Sequence, residues 1–436
     1  MSQPRSSLTL RAGAARVDIT PAGPIWLGGY GHRTRPSQGV ISELFVRALV
    51  LEAAPAEAGE PERSVILSVD QVGISRELSQ TITARLVERF GVPRERVLLA
   101  FSHTHSGPVC DRGLEIVYPL DEAGWAVVER YGVFLVERIE TAVAEALAAL
   151  EPVELFFGES VAGFGVNRRR IRPGCAHFPA PVDHDVPVLQ AVNAQGALKA
   201  IVYGYACHTT TLGLDQISAD YAGFASEALE KAHPEATALY VAGCGADINP
   251  LPRGTVELAR RYGAILAAAV EEAIASPRRV ALKEAPAVAY EEIALGFEGI
   301  PTLEEWHAHA ASENRFVQRW ARLWLEKIGR GEEVPQQLPY PIQIWRFGDA
   351  LTWVTLSAEV CVDYSLRLKS VLGRGKTWVS GYTHQISGGY IPSRRLVEEG
   401  GYEGGESGIY FSLPGRHYSP EIEENIVSAV ERLAAL

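Results

Sequence analysis

Residues 97–105 read VLLAFSHTH, an apolar run that ends abruptly in polar side chains. Continuous runs of Val, Leu and Ile of this length are typical of strands that are covered on both faces. The same design recurs in five further stretches, namely residues 64–70, 200–208, 238–247, 351–359 and 377–384. We therefore predict a set of buried strands, each with a polar carboxyl end.

Helical patterns lie between these runs and predict helices near residues 78–90, 123–150, 222–233, 256–276, 360–372 and 420–436. Strands that alternate with helices are typical of layered α/β proteins. The predicted fold class is thus α/β, with layered mixed β-sheets flanked by helices. Because no internal repeat, low-complexity tract or long linker divides the chain, we predict that residues 1–436 form one domain.

The segment 296–335 departs from this alternation. It contains Trp306, Trp320 and Trp324 within a charged, helix-like stretch. We interpret it as a helical insertion near the pocket, because about forty residues are too few to bury a core of their own. Its tryptophans either form an apolar lid over a substrate or occupy the core face of a helix.

The composition excludes several classes of protein. The chain has 436 residues, 47% of them hydrophobic, and a formal net charge of −12. Such a charge repels phosphate groups, so we expect neither a nucleic acid partner nor docking on an anionic membrane. No apolar run is long enough to span a bilayer, and the first residues lack the pattern of a secretion signal. Five cysteines without CxxC spacing indicate reduced thiols, so we expect a soluble, cytoplasmic protein.

Polar residues at the strand ends are the candidates for chemistry. Ligands of layered α/β folds bind outside the carboxyl ends of strands. The predicted strands end in seven such residues, which are Asp70, His103, His105, His208, Asp247, Glu359 and His384. So many polar ends in one chain indicate a shared crevice.

The pair His103 and His105 suggests a metal site. Residues two apart on an extended backbone point to the same side, so both imidazoles would face one site. Neutral imidazole is a common ligand for zinc and other borderline transition metals. Taken alone, His208 is also compatible with a core histidine, and Glu359 with a negative charge at a helix N-terminus.

Ten short motifs follow one another along the chain: VDITP at 17–21, GGYG at 28–31, SVD at 68–70, SHTHSGP at 102–108, VNR at 166–168, SADY at 218–221, GADINP at 245–250, GY at 381–382, GY at 389–390 and GGYE at 400–403. In this order they resemble the neutral/alkaline non-lysosomal ceramidases and their shorter bacterial relatives. The resemblance implies the fold of the ceramidase catalytic domain.

The resemblance also implies a zinc site. In that family one zinc ion is held by the first histidine of the HTH motif, a later strand-end histidine, a glutamate and a tyrosine, which match His103, His208, Glu359 and Tyr390. Tyr402 lies twelve residues after Tyr390, as in the family, and this spacing favours Tyr390 over Tyr382. His384 stays an alternative ligand, because the stretch 381–390 is one residue longer than is usual.

Further roles follow from the same resemblance. It makes His105 a candidate acid/base, and it makes Arg168 and Tyr402 donors to a developing oxyanion. Asp70 and Asp247 would orient imidazoles or strand-end loops. Each of these two also has a purely structural interpretation, as a helix N-cap and as an Asx-turn residue.

These assignments predict a zinc-dependent amidohydrolase that cleaves a linear N-acyl bond by metal-activated water. Its small-molecule acyl substrate is either a ceramide-like lipid or a smaller soluble amide. An esterase or lactonase would use the same site. A metal-binding protein without catalysis, such as a sensor or carrier, is a third reading. The oligomeric state and a second metal ion are left open.

Overall fold

The computed structural model of the chain describes residues 10–53, 61–171 and 179–436. Its strands are β1 (Leu10–Asp18), β2 (Phe45–Ala53), β3 (Glu62–Val69), β4 (Val97–Phe101), β5 (Glu151–Val161), β6 (Gly165–Asn167), β7 (Asp185–Asn193), β8 (Leu198–Tyr205), β9 (Thr237–Ala242), β10 (Ile248–Pro250), β11 (Val280–Leu282), β12 (Ala287–Glu298), β13 (Gln337–Phe347), β14 (Leu351–Ser357), β15 (Glu359–Val360), β16 (Thr377–Thr383), β17 (Tyr390–Ile391) and β18 (His417–Tyr418). Its α-helices are α1 (Arg76–Phe90), α2 (Glu122–Ala148), α3 (Asp220–Ala232), α4 (Val256–Ala275), α5 (Leu303–Ala310), α6 (Arg315–Gly329), α7 (Val362–Leu372), α8 (Arg394–Glu399), α9 (Gly401–Gly404) and α10 (Ile422–Ala434).

One long mixed sheet organises the molecule. Its strands follow the order β18-β12-β13-β14-β16-β4-β3-β2-β1-β5-β7-β8-β9, and β11 pairs with β5 beside this path. The pairs β3–β4, β8–β9 and β14–β16 are parallel, whereas β1–β2 and β13–β14 are antiparallel. The mixed sheet and its flanking helices confirm the predicted fold class.

The long sheet packs against itself, and helices cover its outer faces. Leu49 and Ile66 of the β2–β3 region share a buried apolar cluster with Leu239 of β9. The Ser68 hydroxyl donates to the Tyr240 carbonyl across the same interface (2.6 Å). Outside, α1 and α2 cover β1–β4, α3 and α4 cover β7–β9, and α7 and α10 cover β12–β14. This layering explains why the strands read as continuous apolar runs.

Local signals set the ends of the helices. α1 begins at Arg76 because the Ser75 side chain accepts the backbone N–H of Leu78. It ends at Gly91, which adopts a left-handed conformation (φ 66°) and donates its N–H to the Val87 carbonyl. The six predicted helices are all present, with ends shifted by a few residues.

The strands that lead to the site end earlier than predicted. β4 ends at Phe101 and β8 at Tyr205, so His103 and His208 lie in loops beyond them. His103 has a φ of 58°, which an extended strand does not contain. The extended-backbone argument for His103 and His105 is therefore wrong, although their imidazoles do meet.

The segment 296–335 contains α5 and α6, and its tryptophans form a packed core. Trp306, Trp320 and Trp324 cluster around Ile116, with the Trp306 and Trp320 ring centroids 4.4 Å apart. The Trp320 indole N–H donates to the Leu413 carbonyl (2.7 Å) and ties the segment to the carboxy-terminal region. The core interpretation of these tryptophans is thus the observed one. That the whole chain is one domain with this insertion stays a prediction.

Two further expectations concern the environment of the protein. Across the three described ranges, every helix is too short or too polar to cross a bilayer. Cys110, Cys207, Cys244 and Cys361 are buried free thiols, and Cys175 lies outside the described residues. The cytoplasmic location stays a prediction.

Candidate metal centre

Two loops from distant parts of the sequence bring three histidines together. His103 and His105 follow β4, and His208 follows β8. One ring nitrogen of each lies within 4.8 Å of the others, and the group could hold a metal ion. Glu359 opens the short strand β15, where its Cα is paired with that of Tyr390 in β17. Four of the seven polar residues predicted to share a crevice, namely His103, His105, His208 and Glu359, therefore lie together.

Backbone carbonyls fix two of the imidazoles. His103 Nδ1 lies 2.5 Å from the Val72 carbonyl oxygen, and His208 Nδ1 lies 2.7 Å from that of Gly245. A carbonyl oxygen only accepts, so each Nδ1 carries the proton and donates it. In the neutral rings, each Nε2 atom then carries a lone pair that can accept a hydrogen bond or bind a metal ion.

The Glu359 carboxylate faces these two lone pairs. Its Oε2 lies 3.2 Å from His103 Nε2 and 3.2 Å from His208 Nε2. This oxygen is buried, and no described residue donates a hydrogen bond to it. Three electron-rich atoms in such contact repel one another, whereas a divalent cation among them would be attracted to all three. The side chains present therefore fit a metal ion bound by nitrogen and oxygen.

Burial keeps two of the imidazoles neutral, those of His105 and His208. Burial, followed by the nearby Arg168 guanidinium, lowers the pKa of His208 to about 4. The pKa of His105 is also lowered well below its usual value, first by burial and then by His103 and His208. Both rings are therefore neutral at pH 7, which is the form that binds metals.

His105 sits against an unusually close backbone. Its Nε2 faces the cluster, 3.0 Å from His103 Nε2. Behind the ring, a Cβ on Gly29 would lie 2.3 Å from His105 Cγ, and Gly29 itself has a φ of 86°. Only glycine fits there, which gives the GGYG motif a physical reason.

Tyr390 borders the cluster through a network that includes Arg168. The Tyr390 hydroxyl lies 3.4 Å from His208 Nε2 and accepts a hydrogen bond from Arg168 Nη2 (2.9 Å). Burial raises the pKa of this hydroxyl well above its usual value, despite the lowering effect of Arg168. Arg168 Nε in turn donates to Glu403 Oε1 (2.8 Å), and Arg169 donates to the other oxygen of Glu403. Arg168 is thus held from both sides.

A cavity of about 360 Å³ opens above the cluster. The polar part of its lining includes His103, His105, Glu359, Tyr390 and Tyr402. The apolar part of its lining includes Val72, Leu114, Val117, Phe316 and Phe411. Within the described residues Arg168 does not line this cavity, so its contacts differ from those expected of an oxyanion donor.

The structure does not bring His384 to the cluster. Its Nδ1 lies 3.1 Å from Arg94 Nη2, and its Nε2 lies 3.3 Å from the Thr355 hydroxyl. Both ring nitrogens are thus engaged elsewhere. Of the two candidates for the last ligand, Tyr390 is the one at the site.

Asp70 and Asp247 hold loops and strand ends. Asp70 Oδ2 accepts from the Phe45 N–H and from Arg47 Nη1 (2.9 and 3.1 Å). Asp247 accepts from the Val362 N–H (2.9 Å) and from Asn167 (2.8 Å), and so joins α7 to β6. These contacts match the loop-positioning interpretation rather than the orientation of an imidazole.

Beside the cluster lie two residues to which sequence reasoning gave no role: Tyr382, which was weighed only as a ligand and set aside, and Glu403, which was missed. The Tyr382 ring lies against His103 (centroids 4.3 Å apart), and its hydroxyl lies 3.3 Å from His208 Nδ1. Glu403 is fully buried between Arg168 and Arg169. Both stand inside motifs already noted, GY at 381–382 and GGYE at 400–403, and that was the available signal.

Residues 10–249 match the family described as neutral/alkaline non-lysosomal ceramidase, N-terminal. This stretch is more than half of the chain. The chain belongs to the neutral/alkaline ceramidase family. The resemblance of the ten motifs is thereby confirmed.

Individual ceramidases show how far the likeness extends. The neutral ceramidase of Pseudomonas aeruginosa is 30% identical over 234 residues, which are 50% of this chain and 33% of that protein. The matched segment thus spans a third of this relative's length. The crystal structure of neutral ceramidase from Pseudomonas aeruginosa superposes with a TM-score of 0.75 at 22% identity, over 98% of this chain and 74% of the other. A ceramidase complexed with C2 gives 0.73 at 20% identity, over 98% and 75%. Both solved structures share the fold of this chain.

Proposed function

We propose that the chain is a zinc-dependent amidohydrolase that cleaves an N-acyl bond by metal-activated water. The observation that carries the proposal is the contact of the Nε2 atoms of His103 and His208 with the Glu359 oxygen, each at 3.2 Å, below a cavity. His103, His208 and Glu359 would hold the ion, with the Tyr390 hydroxyl as a weaker fourth ligand. Membership of the ceramidase family supports an amide as the bond that is cleaved.

The protein prepares these ligands before any ion arrives. The carbonyls of Val72 and Gly245 hold the two imidazoles in the tautomer that leaves Nε2 free. When bound, zinc would supply a Lewis acid and lower the pKa of a coordinated water to about 7.

His105 is the proposed proton carrier. Its Nε2 faces the cluster, and its ring also lines the cavity. We assign to this nitrogen the proton released by the attacking water, which it then gives to the leaving amine. Because its pKa is lowered, the protonated ring gives up its proton readily.

Tyr402 and Arg168 take different parts in the proposal. Tyr402 lines the cavity, so its hydroxyl can donate to the oxygen of the acyl group as negative charge develops there. Arg168 instead donates to the Tyr390 hydroxyl and is fixed by Glu403. We therefore propose that Arg168 positions Tyr390 and does not touch the substrate.

The size of the cavity favours a small substrate. The cavity has a volume of about 360 Å³. A smaller soluble amide with a short acyl group fits it, and we propose that class.

The test combines metal analysis with a matched substrate panel. Purified protein is analysed for bound elements, stripped with a chelator, and reloaded with zinc, magnesium or no metal. N-acyl amides and the corresponding esters are then offered at several acyl lengths. We expect about one zinc per chain and zinc-dependent cleavage of short-chain amides. The His233→Ala variant, which alters a histidine bonded to Glu271 away from the cluster, should behave as wild type.

Three results would contradict the proposal. Cleavage of esters without amides would favour an esterase or lactonase. A zinc-replete protein inactive on the whole panel would favour a non-catalytic metal-binding protein. Full activity after complete removal of metal would exclude metal-activated water.

A further inference from the structure

A second, larger cavity lies beside the one above the metal cluster. It has a volume of about 710 Å³, and its apolar residues include Phe297, Trp324, Leu338 and Leu413. Glu77, Arg112 and Lys327 also line it, so it is a groove with both apolar and charged walls. Phe411 lines both cavities and is the side chain that they share.

The Phe411 ring is held firmly in this place. Phe411 ends the short 3-10 helix Glu406–Phe411 and is 9% exposed. A Cβ on Gly389 would lie 2.8 Å from Phe411 Cδ2, and Gly389 has a φ of 60°. On the metal side, the Tyr390 ring lies with its centroid 6.0 Å from that of Phe411. The ring therefore packs directly against the strand that supplies Tyr390.

We propose that Phe411 is a partition that sets the acyl-chain length, and that the larger groove is a subsite for longer acyl chains. This inference rests on the proposed function, since it concerns the acyl group of the substrate. With the ring in place, an acyl group bound near the cluster ends against Phe411. When the ring is shortened, the two cavities join and the chain continues over Phe297, Leu338 and Leu413. The acyl chain would follow the apolar wall of the groove, because these side chains offer apolar contact.

The experiment compares variants across a chain-length series. Wild type, Phe411→Ala and the milder Phe411→Leu are assayed with butanoyl, octanoyl, dodecanoyl and hexadecanoyl amides of one amine. Wild type should prefer the shorter chains. In Phe411→Ala, the ratio of kcat/KM for dodecanoyl over butanoyl should rise by about tenfold or more, with Phe411→Leu in between.

A matched control variant separates the loss of the Phe411 partition from a general loosening of the packing. Ile426→Ala removes a buried side chain of the same apolar cluster as Phe411 that lines neither cavity. It should leave the chain-length ratio of wild type unchanged. A second readout avoids catalysis: the free fatty acids of the same series are titrated into chelator-treated protein. Dodecanoate should bind Phe411→Ala about tenfold more tightly than wild type.

The outcomes are distinct. If the folded Phe411 variants keep the wild-type profile in both assays, the partition is refuted while the proposed function stands. An equal shift in Ile426→Ala would also refute it. If no variant cleaves any amide, the proposed function fails, and the fatty-acid titration then decides on the partition alone.

Discussion

His103 and His208 each donate a hydrogen bond from Nδ1–H to a backbone carbonyl oxygen. In both rings the lone pair is therefore on Nε2, where it can bind a metal ion. Because both rings and Glu359 are buried, water does not screen the repulsion between them. Residue chemistry alone thus makes the metal-free site unfavourable. His105 differs from them because no described residue forms a hydrogen bond with its Nδ1, so its role can be separated from theirs.

The first prediction separates ligands from the proton carrier. His103→Ala and His208→Ala should each lose zinc and activity together, because each removes a nitrogen that the ion needs. His105→Ala should keep about one zinc and lose turnover by about 10²–10⁴-fold. Elemental analysis and steady-state rates on the same preparations check this. Stoichiometric zinc in the His103/His208 double variant would refute the ligand assignment.

The second prediction concerns Glu403, which holds both Arg168 and Arg169. Glu403→Gln removes the buried negative charge that Arg168 and Arg169 share, while Arg169 keeps its ion pair with Glu399, so the free energy of unfolding should fall by about 3–5 kcal/mol. Arg168 would also hold the Tyr390 hydroxyl less firmly, and kcat should fall more than KM changes. Urea unfolding and steady-state kinetics measure the two effects.

A control for Glu403 is Glu399→Gln, which removes only one partner of Arg169. It should cost less stability and leave kcat near the wild-type value. A Glu403→Gln protein with unchanged kcat would show that Arg168 does not act through Tyr390.

The residues recognised from the sequence are those with a distinctive chemical type. His103, His208 and Glu359 stood at the ends of apolar runs, and the family resemblance named them. The carbonyls of Val72 and Gly245 could not be found in this way, because every residue type carries a carbonyl. Phe411 was missed for a similar reason, since a single buried phenylalanine has no motif.

At the scale of elements, the apolar runs predicted the strands but not their last residues. His103, Ala358, Tyr382 and His384 all have positive φ, between 54° and 64°, directly after or near the ends of β4, β14 and β16. Such a conformation costs non-glycine residues about 1–3 kcal/mol each and persists only where the surroundings enforce it. Because that enforcement is tertiary, local sequence predicted continued strands. The residues that bear this cost lie at or near the strand ends that border the candidate site.

The third prediction uses Asp220, the first residue of α3. Its carboxylate accepts the N–H groups of Leu212 and Tyr221, and burial raises its pKa to about 6 from 3.8. The folded protein thus binds this proton more tightly than the unfolded chain does. Protonation of Asp220 therefore stabilises the folded state. This stabilisation is complete below about pH 4 and is lost as the pH rises through 6, which lowers the free energy of unfolding by about 3 kcal/mol.

Asp220→Asn should remove this pH dependence, and asparagine also tolerates the φ of 54° at this position. Urea unfolding of metal-free protein at several pH values between 4 and 7 measures it. The free energy of unfolding of wild type, relative to that of Asp220→Asn, should decrease with rising pH. The exposed Asp349→Asn variant should keep the wild-type slope. A constant difference between wild type and Asp220→Asn would contradict the raised pKa.

At the scale of the whole molecule, the site depends on how the long sheet is assembled. β16 lies between β14 and β4, so strands from the two ends of the chain become neighbours. This pairing places the loop of His103 beside the region of Glu359, while the packing of β9 against β3 brings in His208. The sequence predicted layers of sheet and helix, but strand order is a property of long-range packing. It could not be inferred from periodicity.

The last prediction tests this assembly through Glu359→Gln. In metal-free wild type, the fold holds a carboxylate oxygen 3.2 Å from two Nε2 lone pairs. A glutamine amide can donate N–H to those nitrogens, so in chelator the variant should be more stable than wild type by about 1–3 kcal/mol. With excess zinc the order should reverse, because wild type gains about 3 kcal/mol at a hundredfold excess over Kd and the variant has lost a ligand. Thermal unfolding with chelator and with zinc measures both, and magnesium serves as the control ion, since it binds imidazole poorly. A Glu359→Gln variant that is less stable than wild type in both conditions would mean that a proton, and not a missing cation, separates Glu359 from the histidines.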